Sequence, residues 1–273
     1  MQRILGRRGL SALAVASPID VKVGDGIARV GLSKKDTRNA LGRDMIRSLR
    51  SAVADIGADS SIIAVVFFSS VPKVFCAGAD LKERVTMTDA EVSHFVSILR
   101  QSFVEIEQLP MPTIAALDGA ALGGGLELAL SCDIRVGGTG VLLGLVETKL
   151  GIIPGAGGTQ RLPRLIGIPK AKELIFTGKR LDGATAYNLG ILNHFVAEGS
   201  AFDKSMEIAK EISLGAPLAL RAAKTAINEG INVDIATGMI IEKLCYAQVI
   251  KTEDRLEGIR AFAEKRTPQY KGR

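Results

Sequence analysis

The chain has 273 residues, of which 47% are hydrophobic and 23% charged, and it carries a formal charge of +6. This length and composition fit one large α/β domain with an appendage, and they exclude the disordered and fibrous classes. The longest apolar stretch, at 113–130, is interrupted by Asp118 and Glu127, so we expect no membrane-spanning helix and no membrane partner. The three cysteines are far apart in the sequence, which excludes a disulfide scaffold.

Half of the positive charge excess lies at the N-terminus. Arg3, Arg7 and Arg8 precede the first acidic residue, Asp20, in a segment rich in leucine, alanine and serine. This composition is typical of an amphipathic mitochondrial transit peptide. It predicts a leader over residues 1–18 and a location in the mitochondrial matrix. A frayed N-terminus is the alternative interpretation.

Strand and helix patterns alternate up to about residue 200, which indicates a layered α/β architecture. In chain order we predict a hairpin of strands at 19–23 and 27–32, a helix at 44–56, a buried strand at 62–68, a helix at 89–108, a strand at 113–117 and a helix that begins at the glycines 123–125. Only helical patterns follow residue 201. We therefore predict a leader at 1–18, a core at 19–200 and a helical region at 201–273.

Several familiar kinds of active site are absent from the sequence. The two histidines, His94 and His194, are far apart, and neither has cysteines or carboxylates nearby at the spacing of metal ligands. There is no phosphate-binding loop, nucleophile elbow or dinucleotide fingerprint. We therefore expect no metal site, and nucleotide hydrolysis, triad hydrolysis and nicotinamide chemistry lose support.

Three glycine-rich segments, at 75–80, 122–130 and 145–161, lie beside apolar strands. Consecutive glycines at a helix start leave backbone N–H groups open to an oxyanion. Glu127 and Glu147 lie in apolar surroundings, where a charge is costly unless it is paired or used. Two such acids predict the addition of water to an activated double bond: one takes a proton from water and the other protonates carbon, while backbone donors hold an enolate oxygen. A structural carboxylate held by backbone donors is the alternative for Glu127.

The segments FCAGAD at 75–80, ALGGGLE at 121–127 and PGAGGTQR at 154–161 resemble the enoyl-CoA hydratase (crotonase) superfamily. The likeness runs from residue 19 to the C-terminus. The stretches 77–84, 122–135, 144–150 and 245–248 are most similar to the methylglutaconyl-CoA hydratase branch of that family. The resemblance implies an α/β fold, a crotonase-type spiral of ββα units, followed by a C-terminal helical oligomerisation region that forms a homotrimer or hexamer.

The resemblance also assigns site residues. The oxyanion-hole amides correspond to Ala79 and Gly124, and the two catalytic acids correspond to Glu127 and Glu147. The N–H of Gly155 matches a donor that helps to hold the catalytic water. The coenzyme A adenine would lie against backbone at Arg38, Ala40 and Ala77, and Lys265 would reach the CoA phosphates of a neighbouring subunit. Because coenzyme A is part of the acyl-CoA substrate, no separate cofactor is implied.

The implied reaction is the hydration of a 2-enoyl-CoA thioester to a 3-hydroxyacyl-CoA, and in the resembling branch that of 3-methylglutaconyl-CoA to 3-hydroxy-3-methylglutaryl-CoA. Relatives that only isomerise a double bond usually lack one of the two acids. Both acids are present here, which favours a hydratase and leaves an isomerase of the same superfamily as the alternative. The motifs do not disclose the acyl chain. A dicarboxylic acyl group would need a cation, for which Lys82 and Arg84 are candidates, and solvated surface charges are the other interpretation.

The predicted helix at 44–56 offers a second hypothesis. Arg43, Arg47 and Arg50 share one face of it, and Arg38 lies just before it. A family member binds AU-rich RNA through the corresponding helix, and arginine contacts phosphate well. That member's lysines are missing here, and no aromatic residues are interleaved for base stacking. A solvated helix face is therefore the favoured interpretation, and RNA binding is the alternative.

Overall fold

A computed structural model describes residues 17–273 of the chain. The leader predicted at 1–18 therefore lies outside the described residues, except for its last two. Strands and helices alternate up to residue 196, and only helices follow. The predicted helical C-terminal region is thus present.

The elements have the following bounds. The strands are β1 (Ile19–Gly24), β2 (Ile27–Leu32), β3 (Ala64–Ser69), β4 (Val74–Cys76), β5 (Thr113–Leu117), β6 (Ala120–Leu122), β7 (Ile134–Gly138), β8 (Leu142–Gly144), β9 (Leu181–Asp182) and β10 (His194–Val196). The helices are α1 (Arg43–Ala58), α2 (Leu81–Arg84), α3 (Asp89–Glu107), α4 (Gly124–Leu130), α5 (Gly158–Ile166), α6 (Ile168–Thr177), α7 (Gly183–Asn188), α8 (Ala201–Ser213), α9 (Pro217–Gly230), α10 (Ile235–Ile250) and α11 (Glu253–Ala263).

Two sheets organise the fold. The larger has the strand order β1-β2-β3-β5-β7-β10, and the smaller has the order β4-β6-β8-β9. β1 and β2 form the predicted antiparallel hairpin. The strands β2, β3, β5 and β7 pair in parallel, as do β4, β6 and β8.

A repeating unit generates both sheets. β3, β5 and β7 each join the larger sheet, and the strand that follows each of them joins the smaller one. A helix or a short 3-10 turn comes after each strand pair. The chain therefore advances as a spiral of strand pairs and helices, and the predicted α/β fold class is confirmed.

The larger sheet is buried on both faces, which explains the continuous apolar run of β3. Val65 and Phe67 belong to the main core, against which α1 and α3 pack. Val66 points to the other face, where it meets Ile208 of α8 in a second apolar cluster. Successive side chains of a strand alternate between faces, so a strand covered on both sides has no polar position.

The last helices depart from this core. α8 packs on the larger sheet, whereas α9 and α10 pack mainly against each other. Ile231, Ile235 and Phe262 in this region are 79%, 82% and 88% exposed. The division at residue 200 stays a prediction. In the part of the chain that the structure describes, no helix has the length and apolarity needed to span a membrane.

Candidate active site

A cavity of about 490 Å³ opens where the segments after β4, β6 and β8 meet. These three strands are parallel neighbours, so their carboxyl ends lie at one edge of the smaller sheet. The residues that the resemblance assigns to catalysis all line the cavity: Ala79, Gly124, Glu127, Glu147 and Gly155. The fold thus brings together side chains and amides from three separate sequence segments.

The turn after β4 leaves one backbone amide open. Leu41 forms a parallel bridge with Ala79. Its N–H donates to the carbonyl of Gly78 at 2.8 Å, and its carbonyl accepts from the N–H of Asp80 at 3.4 Å. Gly78 and Asp80, the residues on either side of Ala79, make the two hydrogen bonds to Leu41. The N–H of Ala79 itself therefore points away from Leu41. That N–H has no acceptor within residues 17–273.

The turn after β6 supplies the second amide. Gly123 has a φ of 52°, and Gly124 is the first residue of α4, so the N–H of Gly124 takes no part in the helical hydrogen bonds. A Cβ on Gly78 would lie 3.7 Å from the nitrogen of Gly124 and only 2.7 Å from the carbonyl oxygen of Leu122. The two turns therefore approach closely, and the amides of Ala79 and Gly124 border the same space.

Glu127 is only 2% exposed, on α4. Its Oε1 accepts hydrogen bonds from the N–H groups of Ala156 at 2.8 Å and Gly158 at 2.7 Å. Gly158 is the first residue of α5 and Ala156 lies just before its N-cap, where N–H groups free of helical bonds favour an anion. Its Oε2 has no hydrogen-bond partner in the described chain. Backbone donors therefore hold one oxygen of Glu127, as the structural interpretation predicts, and the other oxygen remains available.

Glu147 begins the 3-10 turn Glu147–Leu150 after β8, and 8% of it is exposed. Its Oε2 is buried and has no partner in the described part of the protein. A Cβ on Gly123 would lie 3.1 Å from its Oε1, so this carboxyl contacts the turn that carries Gly124. An unpaired buried oxygen is costly, and protonation or a bound substrate would relieve that cost.

Burial raises the pKa of both carboxyls, but the interactions that lower the pKa again are more numerous at Glu127 than at Glu147. The pKa of Glu147 rises to about 7, mainly through burial; a hydrogen bond from its own backbone opposes the rise, and the charge of Glu127 adds to it. Burial also raises the pKa of Glu127, but two backbone hydrogen bonds and the charges of Arg161 and Arg100 oppose the rise. Donors and positive charges that favour the ionised form therefore act on Glu127, whereas burial and the charge of Glu127 favour the protonated form of Glu147.

Gly155 contributes to the cavity through its backbone. Its carbonyl oxygen accepts a hydrogen bond from Nε of Arg100 at 3.0 Å. The role of its N–H in holding water stays a prediction. The amides that bind Glu127 belong to Ala156 and Gly158, which the sequence reasoning missed. The sequence feature that could have indicated these donors is the run of small residues at 155–158, where α5 begins.

The proposed CoA-binding backbone lies beside the turn after β4. The N–H of Ala77 donates to the carbonyl of Arg38 at 3.1 Å, and Ala40 is buried next to the bridge at Leu41. Ala77 lines the cavity. Lys265 is exposed after α11 and does not line the cavity. Since its implied role is toward another subunit, a single chain does not test that assignment.

The arginines on α1 are neutralised within the chain. Their carboxylate contacts lie at 2.6–3.7 Å: Arg43 contacts Glu83 and Glu91, Arg47 contacts Asp44, and Arg50 contacts Glu105. Paired guanidinium groups are poor phosphate ligands unless the pairs break. The arrangement supports a solvated, ion-paired helix face rather than an RNA-binding stripe.

The chain matches the family described as enoyl-CoA hydratase/isomerase over residues 22–273. It is 48% identical over 281 residues to mouse (Mus musculus) enoyl-CoA hydratase domain-containing protein 2, mitochondrial, covering 99% of this chain and 95% of the relative. It is 51% identical over 251 residues to human (Homo sapiens) methylglutaconyl-CoA hydratase, mitochondrial, covering 90% and 74%. A crystal structure of an enoyl-CoA hydratase from Bacillus anthracis superposes with a TM-score of 0.92 at 46% identity, covering 94% and 100%.

Proposed function

This chain belongs to the enoyl-CoA hydratase/isomerase family, and from that premise we propose that it hydrates a 2-enoyl-CoA thioester to a 3-hydroxyacyl-CoA. One observation carries the proposal: two buried carboxyls, one held by two backbone donors and the other with an unpaired oxygen, share a cavity with two open backbone amides. Hydration requires a base for water, an acid for carbon and donors for an enolate oxygen. The cavity offers all three.

The amides of Ala79 and Gly124 would bind the thioester carbonyl oxygen. Negative charge develops on that oxygen when water attacks C3, because the electrons of the double bond move toward the carbonyl. Donors fixed in the backbone stabilise this charge without having to reorganise. The two turns approach closely, which would let both amides donate to the same oxyanion.

The two carboxyls would divide the proton transfers. Ionised Glu127 takes a proton from water as the water oxygen bonds to C3, and protonated Glu147 gives its proton to C2. The product thus gains one water molecule, and a later proton exchange returns Glu127 and Glu147 to their starting states. The assignment follows the surroundings: amides and arginines favour the ionised form of Glu127, and burial favours the protonated form of Glu147.

We propose 3-methylglutaconyl-CoA as the first acyl group to test, because one relative, 51% identical, is a methylglutaconyl-CoA hydratase. The experiment is a turnover screen against short, branched and dicarboxylic 2-enoyl-CoA thioesters, with product identification. Hydration of at least one thioester supports the proposal. The isomerase alternative predicts that 3-enoyl-CoA thioesters are converted to 2-enoyl isomers without uptake of water.

We also propose a location in the mitochondrial matrix. Relatives with about half of their residues identical carry the word mitochondrial in their names, and Arg3, Arg7 and Arg8 give residues 1–18 the composition of a transit peptide. N-terminal sequencing of protein isolated from cells tests this. A mature N-terminus near Ile19 supports it, and intact Met1 on cytosolic protein contradicts it.

Assembly into a homotrimer or hexamer is a further part of the proposal. The exposed apolar side chains of the last helices, among them Ile231, Ile235 and Phe262, would be covered in an assembly. Lys265 could then reach coenzyme A bound to a neighbour. Light scattering on purified protein would give the mass of three or six chains, and the mass of one chain would contradict the proposal.

A further inference from the structure

The cavity that contains the two carboxyls also contains two guanidinium groups, those of Arg84 and Arg100. Arg100 is anchored through its Nε, which donates to the carbonyl of Gly155, and its charge acts on Glu127. Arg84 is half-buried, and none of the described residues provides a hydrogen-bond acceptor or an ion-pair partner for its guanidinium group. Its carbon Cζ lies 4.7 Å from the centroid of the Phe95 ring. Arg84 therefore presents an oriented cation with free N–H donors.

The carboxylates nearest to Arg84 in the sequence are committed elsewhere. Oε2 of Glu83 accepts a hydrogen bond from the N–H of Arg43 at 3.0 Å, and Oε1 lies 3.7 Å from the Arg43 Nε. Asp80 caps α2 by accepting from the N–H of Glu83 at 3.2 Å. The charge of Glu83 acts on Arg84, but neither carboxylate forms a hydrogen bond with its guanidinium, which leaves those N–H donors to a ligand. Its contact with the face of Phe95 restricts where the guanidinium can lie.

We infer that Arg84 determines acyl specificity by binding a carboxylate at the far end of the acyl group. This inference rests on the proposed function. Arg84 ends the short helix α2, which begins two residues after Ala79, the proposed donor to the thioester carbonyl. Ala79 and Arg84 line the same cavity, so an acyl group held at Ala79 shares that cavity with the guanidinium.

The side of the cavity formed by α3 is largely apolar. Val92, Val96 and Leu99 on α3 line the same space and offer no hydrogen bonds. A methyl-ended acyl chain would leave the guanidinium half-buried without a partner. A carboxylate-ended chain would gain a paired, bidentate contact, and that contact offsets repulsion from the carboxyls of the site.

Lys82 provides a matched control for Arg84. Both cations lie on α2, but Lys82 is exposed and does not line the cavity. The sequence left the two as equal candidates, and the structure separates them. If positive charge near the cavity favoured an acidic substrate in general, both cations would contribute to the preference. If the substrate carboxylate is bound directly, only Arg84 contributes.

The test compares two five-carbon substrates, glutaconyl-CoA and 2-pentenoyl-CoA, which differ only in a terminal carboxylate or methyl group. We expect the wild-type protein to prefer glutaconyl-CoA. Arg84→Gln should lower kcat/KM for glutaconyl-CoA about 10- to 100-fold, and for 2-pentenoyl-CoA less than about threefold. Arg84→Lys should retain part of the preference, and Lys82→Gln should change neither value. An equal loss on both substrates, or the same loss in Lys82→Gln, overturns the inference.

Binding of the saturated analogues separates this inference from the proposed function. Calorimetric titration with glutaryl-CoA and pentanoyl-CoA needs no hydration step. If glutaryl-CoA binding is lost in Arg84→Gln while neither enoyl thioester is hydrated by the wild type, the hydratase proposal fails and the role of Arg84 stands. If hydration proceeds and the variant binds both analogues like the wild type, the role of Arg84 fails alone.

Discussion

Glu127 and Glu147 line the same cavity with different hydrogen bonding: Oε1 of Glu127 accepts two backbone N–H groups, whereas Oε2 of Glu147 accepts none within the described range. The donors stabilise a negative charge on Glu127. Their absence at Oε2 of Glu147, together with burial, favours the protonated carboxyl there. This difference is what the proposed division of proton transfers between the two side chains requires.

This asymmetry predicts the pH dependence of activity. Because the pKa of Glu147 is about 7, kcat/KM should fall above that pH, approaching tenfold per pH unit, as the acid loses its proton. Protonation of Glu127 should produce a second fall at lower pH. The two apparent pKa values belong to the coupled pair. Initial rates between pH 5 and 9 give the profile, and undiminished kcat/KM up to pH 9 is incompatible with the assignment of Glu147.

The same pKa predicts an effect on stability. The pKa of Glu147 rises on folding from 4.5 to about 7, so the folded state binds the proton more tightly. Ionisation therefore opposes folding increasingly from about pH 4.5 to 7, and fully above pH 7. Glu147→Gln should have a Tm close to that of the wild type at pH 4.5 and a Tm several degrees higher at pH 8. A Tm difference independent of pH, from thermal unfolding scans, argues against the burial cost.

The oxyanion role of Gly124 can be tested by removing its N–H. Gly124→Pro removes the donor at the first helical position, where proline is tolerated, and kcat should fall about 100- to 1000-fold. Gly124→Ala is the matched control, because it keeps the N–H and adds a Cβ at 2.7 Å from a flexible leucine end, Cδ1 of Leu41. A folded proline variant as active as the alanine variant would exclude this amide.

The paired arginines of α1 predict weak RNA binding. Four phosphate contacts on a single strand would give a slope of about −3 for log K against log salt. We expect a shallower slope and no preference for AU-rich over mixed sequence. Replacing Arg43, Arg47 and Arg50 with glutamine should leave hydratase turnover unchanged. Tight AU-selective binding that disappears in this triple variant would reverse the ranking of the two hypotheses.

The sequence predicts the elements well where burial determines composition. The apolar face of α1, with Met45, Leu49 and Ile56, and the uninterrupted run of β3 follow from what each element covers. Glu127 and Glu147 are recognisable because a carboxylate in an apolar segment is costly to bury unless it is paired or used. In all these cases the physical constraint acts on side-chain chemistry, which the sequence displays.

The parts that the sequence cannot predict depend on backbone atoms and on helix phase. Every residue except proline has a backbone N–H, so the sequence does not distinguish Ala156 and Gly158 as donors. Their small size is the only feature that sets them apart. Gly125 likewise looks like its neighbours, although a Cβ there would overlap the carbonyl oxygen of Cys76. Lys82 and Arg84 are equivalent by composition, and only the orientation of α2 separates them.

The most direct measurement of the two-acid hydration is the turnover of Glu127→Gln and Glu147→Gln. Crotonyl-CoA and 3-methylglutaconyl-CoA are the substrates, and binding of a saturated thioester is measured alongside. Each variant should lose about 100- to 10,000-fold in kcat, because one proton transfer has lost its carrier, while thioester binding changes little. If both variants hydrate these substrates at close to the wild-type rate, Glu127 and Glu147 do not carry the reaction.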